Sequence, residues 1–297
     1  MTIVLPKDYH ATTALTQSRI QCVTTEEALR EDIRALRIGI LNIMPKADTY
    51  EFSLLHPLGR SVMQIEPVWI KLDTHSYSST DPSHLQKLYV SFKDAVDKQH
   101  LDGLIVTGAP VEDLPFEEVS YWNEIQRILK YAQKNIPSTL GICWGGLALA
   151  KFIGIEKTLF KKKIFGVYEA INLDHNHPIT GEMDDHFYCA QSRHAGITDE
   201  VLEAEQKKGN IRLLAHSKGA GYTIFESIDQ RFIIHLGHPE YEPGRLIEEY
   251  QRDVKLGRSD VDPPTNVDLE QPANTWRSHR NEFFSQWIKF IHESTTY

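Results

Sequence analysis

The stretch that most constrains this chain is Pro137-Ser-Thr-Leu-Gly-Ile-Cys-Trp-Gly-Gly146, which continues into Leu147-Ala-Leu-Ala-Lys151. Residues 139–142 form a short apolar run with the composition of a buried strand. The small residues from Gly145 onward carry no turn signal after Gly146, which predicts a helix. Cys143 stands between the two in the pattern Gly141-Ile-Cys143-Trp-Gly145. This is the Gly-x-nucleophile-x-Gly spacing of a strand–elbow–helix turn, with sulfur in place of oxygen. Such a turn is sharp and strains the nucleophile's backbone, so flanking residues with side chains would collide. A helix N-terminus beside the sulfur favours the thiolate, which is the reacting form. A lone cysteine in an apolar stretch is also an ordinary small core residue. The elbow alone leaves both readings open, and the rest of the chain decides between them.

Around this stretch strand and helix alternate. Residues 37–43, 63–72 and 101–107 are continuous apolar strands. Asp81-Pro82 supplies an N-cap and first-turn proline for a helix to about residue 96, and residues 120–134 form an amphipathic helix. Continuous rather than alternating apolar strands, separated by helices, predict an α/β fold with a mostly parallel sheet and helices on both faces. In such sheets ligands sit beyond the C-terminal strand ends. Lys46, Gly108 and Cys143 all follow strands, so they should converge on one edge. After residue 152 the segments 166–173, 187–192, 211–216, 222–227 and 231–236 are strand-like with few helices between, which predicts a partly antiparallel extension of the sheet. Glu242-Pro-Gly-Arg245 opens a helix ending near Gly257, and a last amphipathic helix covers 277–292. Thr24-Thr-Glu-Glu27 fits a capping box for a helix through Leu36. We take residues 1–36 as a peripheral extension and 37–297 as a single α/β domain, since no linker long enough to separate two domains appears.

Composition narrows the function. A formal charge of −9 over 297 residues argues against nucleic acid as the main partner, although local cations can still gather in a cleft. No apolar run approaches a membrane span, and the N-terminus lacks the pattern of a secretory signal. Three widely spaced cysteines suit a reducing compartment better than a disulfide framework, so a cytoplasmic protein is expected.

The second chemical motif is Gly237-His238-Pro239-Glu240-Tyr241, directly after the strand at 231–236. Residues two apart in extended backbone project to the same side, so His238 and Glu240 can face one site together. With Cys143 they supply nucleophile, base and orienting carboxylate, the last fixing the imidazole tautomer and stabilising the imidazolium. One histidine among fourteen says little; His-Pro-Glu at a strand end, paired with the elbow, says far more. Asp174, His175 and His177 could ligate a cation, but their loop-like setting points to solvated side chains, and His75, His84 and His186 show no ligand-like partners. No metal site is expected.

Gly-Ile-Cys143-Trp-Gly and Gly-His238-Pro-Glu240-Tyr resemble the class I glutamine amidotransferase-like fold. The ordered set Leu41-Asn-Ile-Met-Pro-Lys46, Gly103-Leu-Ile-Val-Thr-Gly-Ala-Pro110, Tyr121-Trp122, Gly166-Val-Tyr-Glu169, Ser192-Arg193, Arg252-Asp-Val254 and Trp276-Arg-Ser-His279 resembles one branch of it. That branch is the homoserine O-acyltransferases, which take a succinyl or acetyl group from coenzyme A. The resemblance implies that the acyl group moves first to Cys143 and then to an amino acid hydroxyl, with His238 as proton acceptor and Glu240 as its partner. It also implies substrate contacts at Lys163, Ser192 and Arg252, and a homodimer. An oxyanion would be held by the backbone N–H groups of Trp144 and the Gly108 loop. The guanidinium of Arg252 suits the amino acid's carboxylate. Lys161-Lys162-Lys163 is either an exposed run or an attraction for the coenzyme's phosphates.

In this family glycine at the position of Glu112 goes with succinyl donors and glutamate with acetyl donors. A glutamate there fills the room a longer acyl chain needs and sets a carboxylate against the succinyl carboxylate. Acetyl-CoA is therefore the expected donor. The chain departs from the family in two places. Ala47-Asp-Thr-Tyr-Glu51 replaces the usual Lys-x-Glu-Thr-Glu, and Gly146-Leu147 replaces Ala-Gln after Cys143-Trp-Gly. Both lie near the expected substrate pockets, which keeps serine open as an acceptor beside homoserine, one methylene being worth only ~1–3 kcal/mol. An amide hydrolase of the glutamine amidotransferase type uses the same three residues and would betray itself by glutaminase activity without acyl-CoA.

Overall fold

The computed structural model describes residues 2–30 and 34–295. The chain opens with β1 (Thr2–Val4), α1 (Thr12–Gln17), β2 (Gln21–Val23) and α2 (Thr25–Ala28). The capping box forms: Thr24 Oγ1 accepts from the Glu27 N–H while the Glu27 carboxylate accepts from the Thr24 N–H. The helix it starts is shorter than expected. It ends at Ala28, residues 31–33 lie outside the described residues, and Leu36 already opens β3 (Leu36–Leu41).

Next comes α3 (Ala47–Leu58), which the sequence reading did not anticipate. Its buried set includes the polar Glu51 and His56, which break the apolar stripe, and Pro57 lies in its last turn. β4 (Gln64–Lys71) follows. The helix expected over 81–96 is two: α4 (Pro82–Leu88), capped by Asp81, and α5 (Phe92–Lys98), capped by Ser91. Between them Tyr89 is extended and β5 (Val90–Ser91) pairs with β4. β6 (Gly103–Val106), α6 (Trp122–Asn135), β7 (Ser138–Ile142) and α7 (Trp144–Phe152) complete the alternating half.

The later half holds β8 (Thr158–Asn172), β9 (His186–Gly196), α8 (Asp199–Lys207), β10 (Ile211–Ser217), β11 (Gly221–Ser227), β12 (Phe232–His235), α9 (Pro243–Lys255) and α10 (Arg277–Ser294). Of these, α8 was not foreseen. The long β8 shows why the basic run divides: Lys161 and Lys162 are exposed, whereas Lys163 is buried.

One sheet runs β2-β1-β4-β3-β6-β7-β12-β11-β10-β8-β9. Strands β2 to β12 along this path are parallel, and β11, β10, β8 and β9 continue it antiparallel. This is the mostly parallel sheet with an antiparallel extension that the sequence pattern predicts. β1 and β2 lie at one sheet edge, yet they are hydrogen-bonded into it, and Ile3, Leu15 and Ile20 belong to its core. The segment set apart as a peripheral extension thus supplies strands to the common sheet.

Both faces are covered, because successive strand residues project to opposite sides. Ile105, Leu140, Ile142 and Ile233 pack with Leu54, Leu58, Phe284 and Trp287 on one face. Leu104, Val106, Phe232 and Ile234 pack with Ile125, Leu129, Leu147 and Leu149 on the other. No helix among the described residues is long and apolar enough to cross a membrane. Register places the site: Val106 pairs with Gly141, and Ile142 with His235. The loops after β6, β7 and β12 therefore leave the sheet side by side at one edge.

Candidate active site

Cys143 sits at the junction of β7 and α7 with φ +52° and ψ −112°. A non-glycine residue held there stores about 1–3 kcal/mol of strain and persists only where its surroundings over-determine it. Here the Cys143 N–H donates to His235 O at 2.8 Å, and its carbonyl accepts from the Leu147 N–H at 3.0 Å. The flanking glycines are required by close approach. A Cβ on Gly145 would lie 2.1 Å from the Val106 carbonyl oxygen, and one on Gly141 would lie 2.3 Å from Leu149 Cδ1 and 2.6 Å from Gly145 O. The elbow expected from the sequence is the elbow found.

His238 and Glu240 meet as their spacing predicts, with His238 Nδ1 2.7 Å from Glu240 Oε1. Nδ1 being engaged, Nε2 is the nitrogen available to the sulfur. The His238 N–H donates to Ala190 O at 2.8 Å, and the Tyr241 ring stacks on the imidazole at 4.0 Å between centroids. Burial pushes the His238 pKa down, but the adjacent Cys143 and Glu240 outweigh it and hold the imidazole well above its ordinary value. Gly108 closes the other side: a Cβ built on it would be 3.5 Å from His238 Cε1 and 3.7 Å from Cys143 Cβ. The backbone N–H of Trp144, the first residue of α7, belongs to the helix N-terminus, which has no intrahelical partner to offer it. The Trp144 side chain is buried away between Phe116 and Tyr121.

One cavity brings together Gly108, Glu112, Cys143, Lys163, Ser192, His238 and Arg252. Met44 and Pro45 of the loop after β3 line it too, whereas Lys46 lines a neighbouring recess with Tyr50 and Tyr241. Glu112 has one carboxylate oxygen, Oε2, enclosed without a hydrogen-bond partner. Burial raises its pKa to about 7, against the lowering pull of the His194 backbone N–H and the Lys163 charge.

The Lys163 side chain is 2% exposed, with Nζ 2.7 Å from Asp253 Oδ2 and 3.6 Å from Glu249 Oε2. Ser192 donates its hydroxyl to Glu249, which also accepts from Tyr241 OH at 2.8 Å. The Arg252 side chain is 50% exposed at the rim, held to Asp253 Oδ1 through Nε and Nη2 at 3.0 and 2.9 Å.

Sequence reasoning missed Glu249, Arg245 and Tyr50. Each of these carried a usable signal. Arg245, Glu249 and Arg252 recur at helical spacing on α9 and so share the face that carries the expected Arg252. Tyr50 lay within a departure from the family pattern, and its hydroxyl donates to Glu240 Oε1 at 2.8 Å.

Two histidine readings need correction. His177 is buried rather than solvated: its Nδ1 accepts from the Ile179 and Thr180 N–H groups, and its Nε2 lies 3.1 Å from Glu226. The long loop over residues 173–185 between β8 and β9 folds back over it, which composition does not show. His84 does have partners, its Nε2 lying 2.7 Å from Glu51 Oε1. Ligand-type atoms of His10, Glu51 and His84 lie within 4.8 Å of one another. Glu51 also accepts hydrogen bonds from the hydroxyls of Tyr9 and Tyr89, so the cluster is a network that fills its own donors and acceptors. It ties α3 to α4 and the N-terminal segment.

The fold is an α/β fold of the class I glutamine amidotransferase type. A glutamine amidotransferase from Thermotoga maritima superposes with a TM-score of 0.56 at 15% identity, covering 87% of this chain and 99% of that one. The glutaminase domain of a Trypanosoma brucei CTPS superposes with a TM-score of 0.54 at 10% identity, covering 89% and 96%. At these identities the likeness is one of fold. The sequence goes further: the profile of the family described as "HTS: Homoserine O-succinyltransferase" matches residues 2–297. Proteins named homoserine O-acetyltransferase from Petrotoga mobilis and Bacillus subtilis are 39% and 36% identical. They align with 100% of this chain and with 97% and 99% of their own lengths. The chain belongs to the homoserine O-succinyltransferase family and is an acyltransferase.

The elbow's dependence on its glycine is directly testable. Gly145→Ala should destabilise the protein by about 1–3 kcal/mol, because the new methyl meets main chain that cannot give way. A urea-unfolding midpoint equal to that of the parent protein would contradict this packing.

Proposed function

We propose that the chain transfers the acetyl group of acetyl-CoA, through a thioester on Cys143, to the hydroxyl of L-homoserine, a step of methionine biosynthesis. The observation that carries this reading is the strained Cys143 elbow opening beside a Glu240-held His238 into a cavity that Glu112 also lines. The Cys143 thiolate attacks the acetyl carbonyl, the tetrahedral intermediate expels coenzyme A thiolate, and His238 supplies its proton. The acceptor hydroxyl then attacks the enzyme thioester while His238 takes the hydroxyl proton; the tetrahedral intermediate expels the Cys143 thiolate and the proton stays on His238, which restores the starting thiolate and imidazolium. One thioester replaces another in the first half, which makes that transfer nearly even in energy. The Trp144 N–H and the Gly108 loop would receive the oxyanion.

Arg252, with Arg245 on the same face of α9, would receive the acceptor's carboxylate, and Lys163 and Ser192 would position the substrates through the Glu249 and Asp253 network. The substrates are small molecules, and a homodimer is the assembly that the family resemblance implies. The second reading keeps every step and replaces homoserine by serine, yielding O-acetylserine for cysteine synthesis. It is favoured by the departure at Tyr50, which alters a residue in direct contact with the triad.

Product analysis by mass spectrometry separates these readings. Acetyl-CoA or succinyl-CoA would be offered with homoserine or serine in all four pairings. O-acetylhomoserine as main product is expected. O-acetylserine would move the acceptor to serine, and no acyl product beside a measurable glutaminase activity would overturn acyl transfer altogether.

The donor preference carries a pH signature. Above about 7 the Glu112 carboxyl is charged and opposes the succinyl carboxylate; below it the group is neutral and the repulsion falls away. The ratio of succinyl to acetyl transfer should therefore rise as pH falls through that value. Glu112→Gly should raise the ratio at every pH and flatten its pH dependence. A ratio indifferent to both pH and the substitution would remove Glu112 from the acyl site.

A further inference from the structure

Glu240 is fully buried, and its two oxygens are treated very differently. Oε1 accepts from both His238 Nδ1–H at 2.7 Å and the Tyr50 hydroxyl at 2.8 Å. Oε2 has no hydrogen-bond partner. A buried carboxylate with one bare oxygen is free to turn unless something besides its histidine holds it, and leaving a buried charge under-bonded is costly. Among the described residues the Tyr50 hydroxyl is that second holder.

The phenol itself stands on a fixed base. Tyr50 is buried in the core of α3, and the next residue, Glu51, is fully buried. Glu51 is bonded by Tyr9 from the N-terminal segment, by Tyr89 after α4 and by His84 within it. Burial and the nearby Glu240 charge raise the Tyr50 pKa, so the group remains a donor. The usual family pattern places threonine here, whose hydroxyl, one bond beyond Cβ, cannot reach as far as a phenol from the same backbone position.

We propose that Tyr50 is a positioning residue of this chain's acyl transfer: its hydroxyl fixes the Glu240 carboxylate in the plane that presents Oε1 to His238 Nδ1. The proposal rests on the triad assigned above. By sharing Oε1, the phenol also competes with His238 Nδ1–H for the same acceptor oxygen. Without it the carboxylate turns more freely, and when it does bond, it stabilises the imidazolium more strongly.

Tyr50→Phe tests this, since it keeps the ring and deletes only the O–H. The urea midpoint establishes that the variant is folded. The expected result is a fall in kcat of about ten-fold, the scale of one hydrogen bond to a charged group, with the KM for acetyl-CoA unchanged. The lower-pH limb of kcat should move to higher pH, and the low-field imidazole proton of His238 in the 1H NMR spectrum should shift or broaden. In a Glu240→Gln background Tyr50→Phe should add nothing, because a residue that acts through Glu240 has nothing left to position. An unchanged kcat, pH profile and proton resonance would overturn the proposal, as would an equal loss in both backgrounds. Failure of the triad itself would look different: Cys143→Ala would then retain full transfer activity.

Discussion

The structure depends on a close approach between backbones at one point. Gly145 lets the start of α7 lie against the Val106 carbonyl at the end of β6, and Gly141 lets the last turn of β7 lie under α7. Between these contacts Cys143 holds its strained positive-φ conformation, bonded back to His235 of the neighbouring strand. That hydrogen bond extends the parallel ladder between β7 and β12, the strand that leads into His238. The elbow and His238 are therefore positioned by the same sheet register, and the strain at Cys143 is held between two strands whose residues are all buried.

Around this point the site is built from buried charge. Lys163 is matched by Asp253 and Glu249, Glu249 is held by Ser192 and Tyr241, and Glu240 is shared by His238 and Tyr50. Buried ion pairs of this kind contribute little net stability, since desolvation offsets attraction. Removing one member leaves the other uncompensated, however, so the network enforces geometry. Glu112, like Glu240, has one carboxylate oxygen unpartnered. A charged carboxylate in that condition repels a second carboxylate more strongly than a solvated one would, which is the physical basis of the donor preference proposed for Glu112.

Much of this was visible in the amino acids. The elbow, the His-x-Glu pair and the parallel half of the sheet follow from periodicity and glycine placement, because each rests on local chemistry. What escaped was set by tertiary contact. Helix α3 was hidden because Glu51 and His56 are buried for their hydrogen bonds, which no hydropathy pattern registers. The single helix expected over 81–96 broke because Val90 and Ser91 found a place beside β4. His177 looked solvated because a loop's fold, not its composition, decides whether it is enclosed. Tyr50 was noticed as a departure, but its partner lies 190 residues away, and only the fold joins them.

The central claim is that Cys143 carries the acyl group. It is tested most directly by incubating the protein with acetyl-CoA alone, quenching in acid and mapping peptides by mass spectrometry. One acetyl group, labile to hydroxylamine as a thioester is, is expected on the peptide containing Cys143, and it should disappear when homoserine or serine is added before the quench. An unmodified Cys143 under conditions where O-acyl product still forms would show direct transfer between substrates, and would contradict the account.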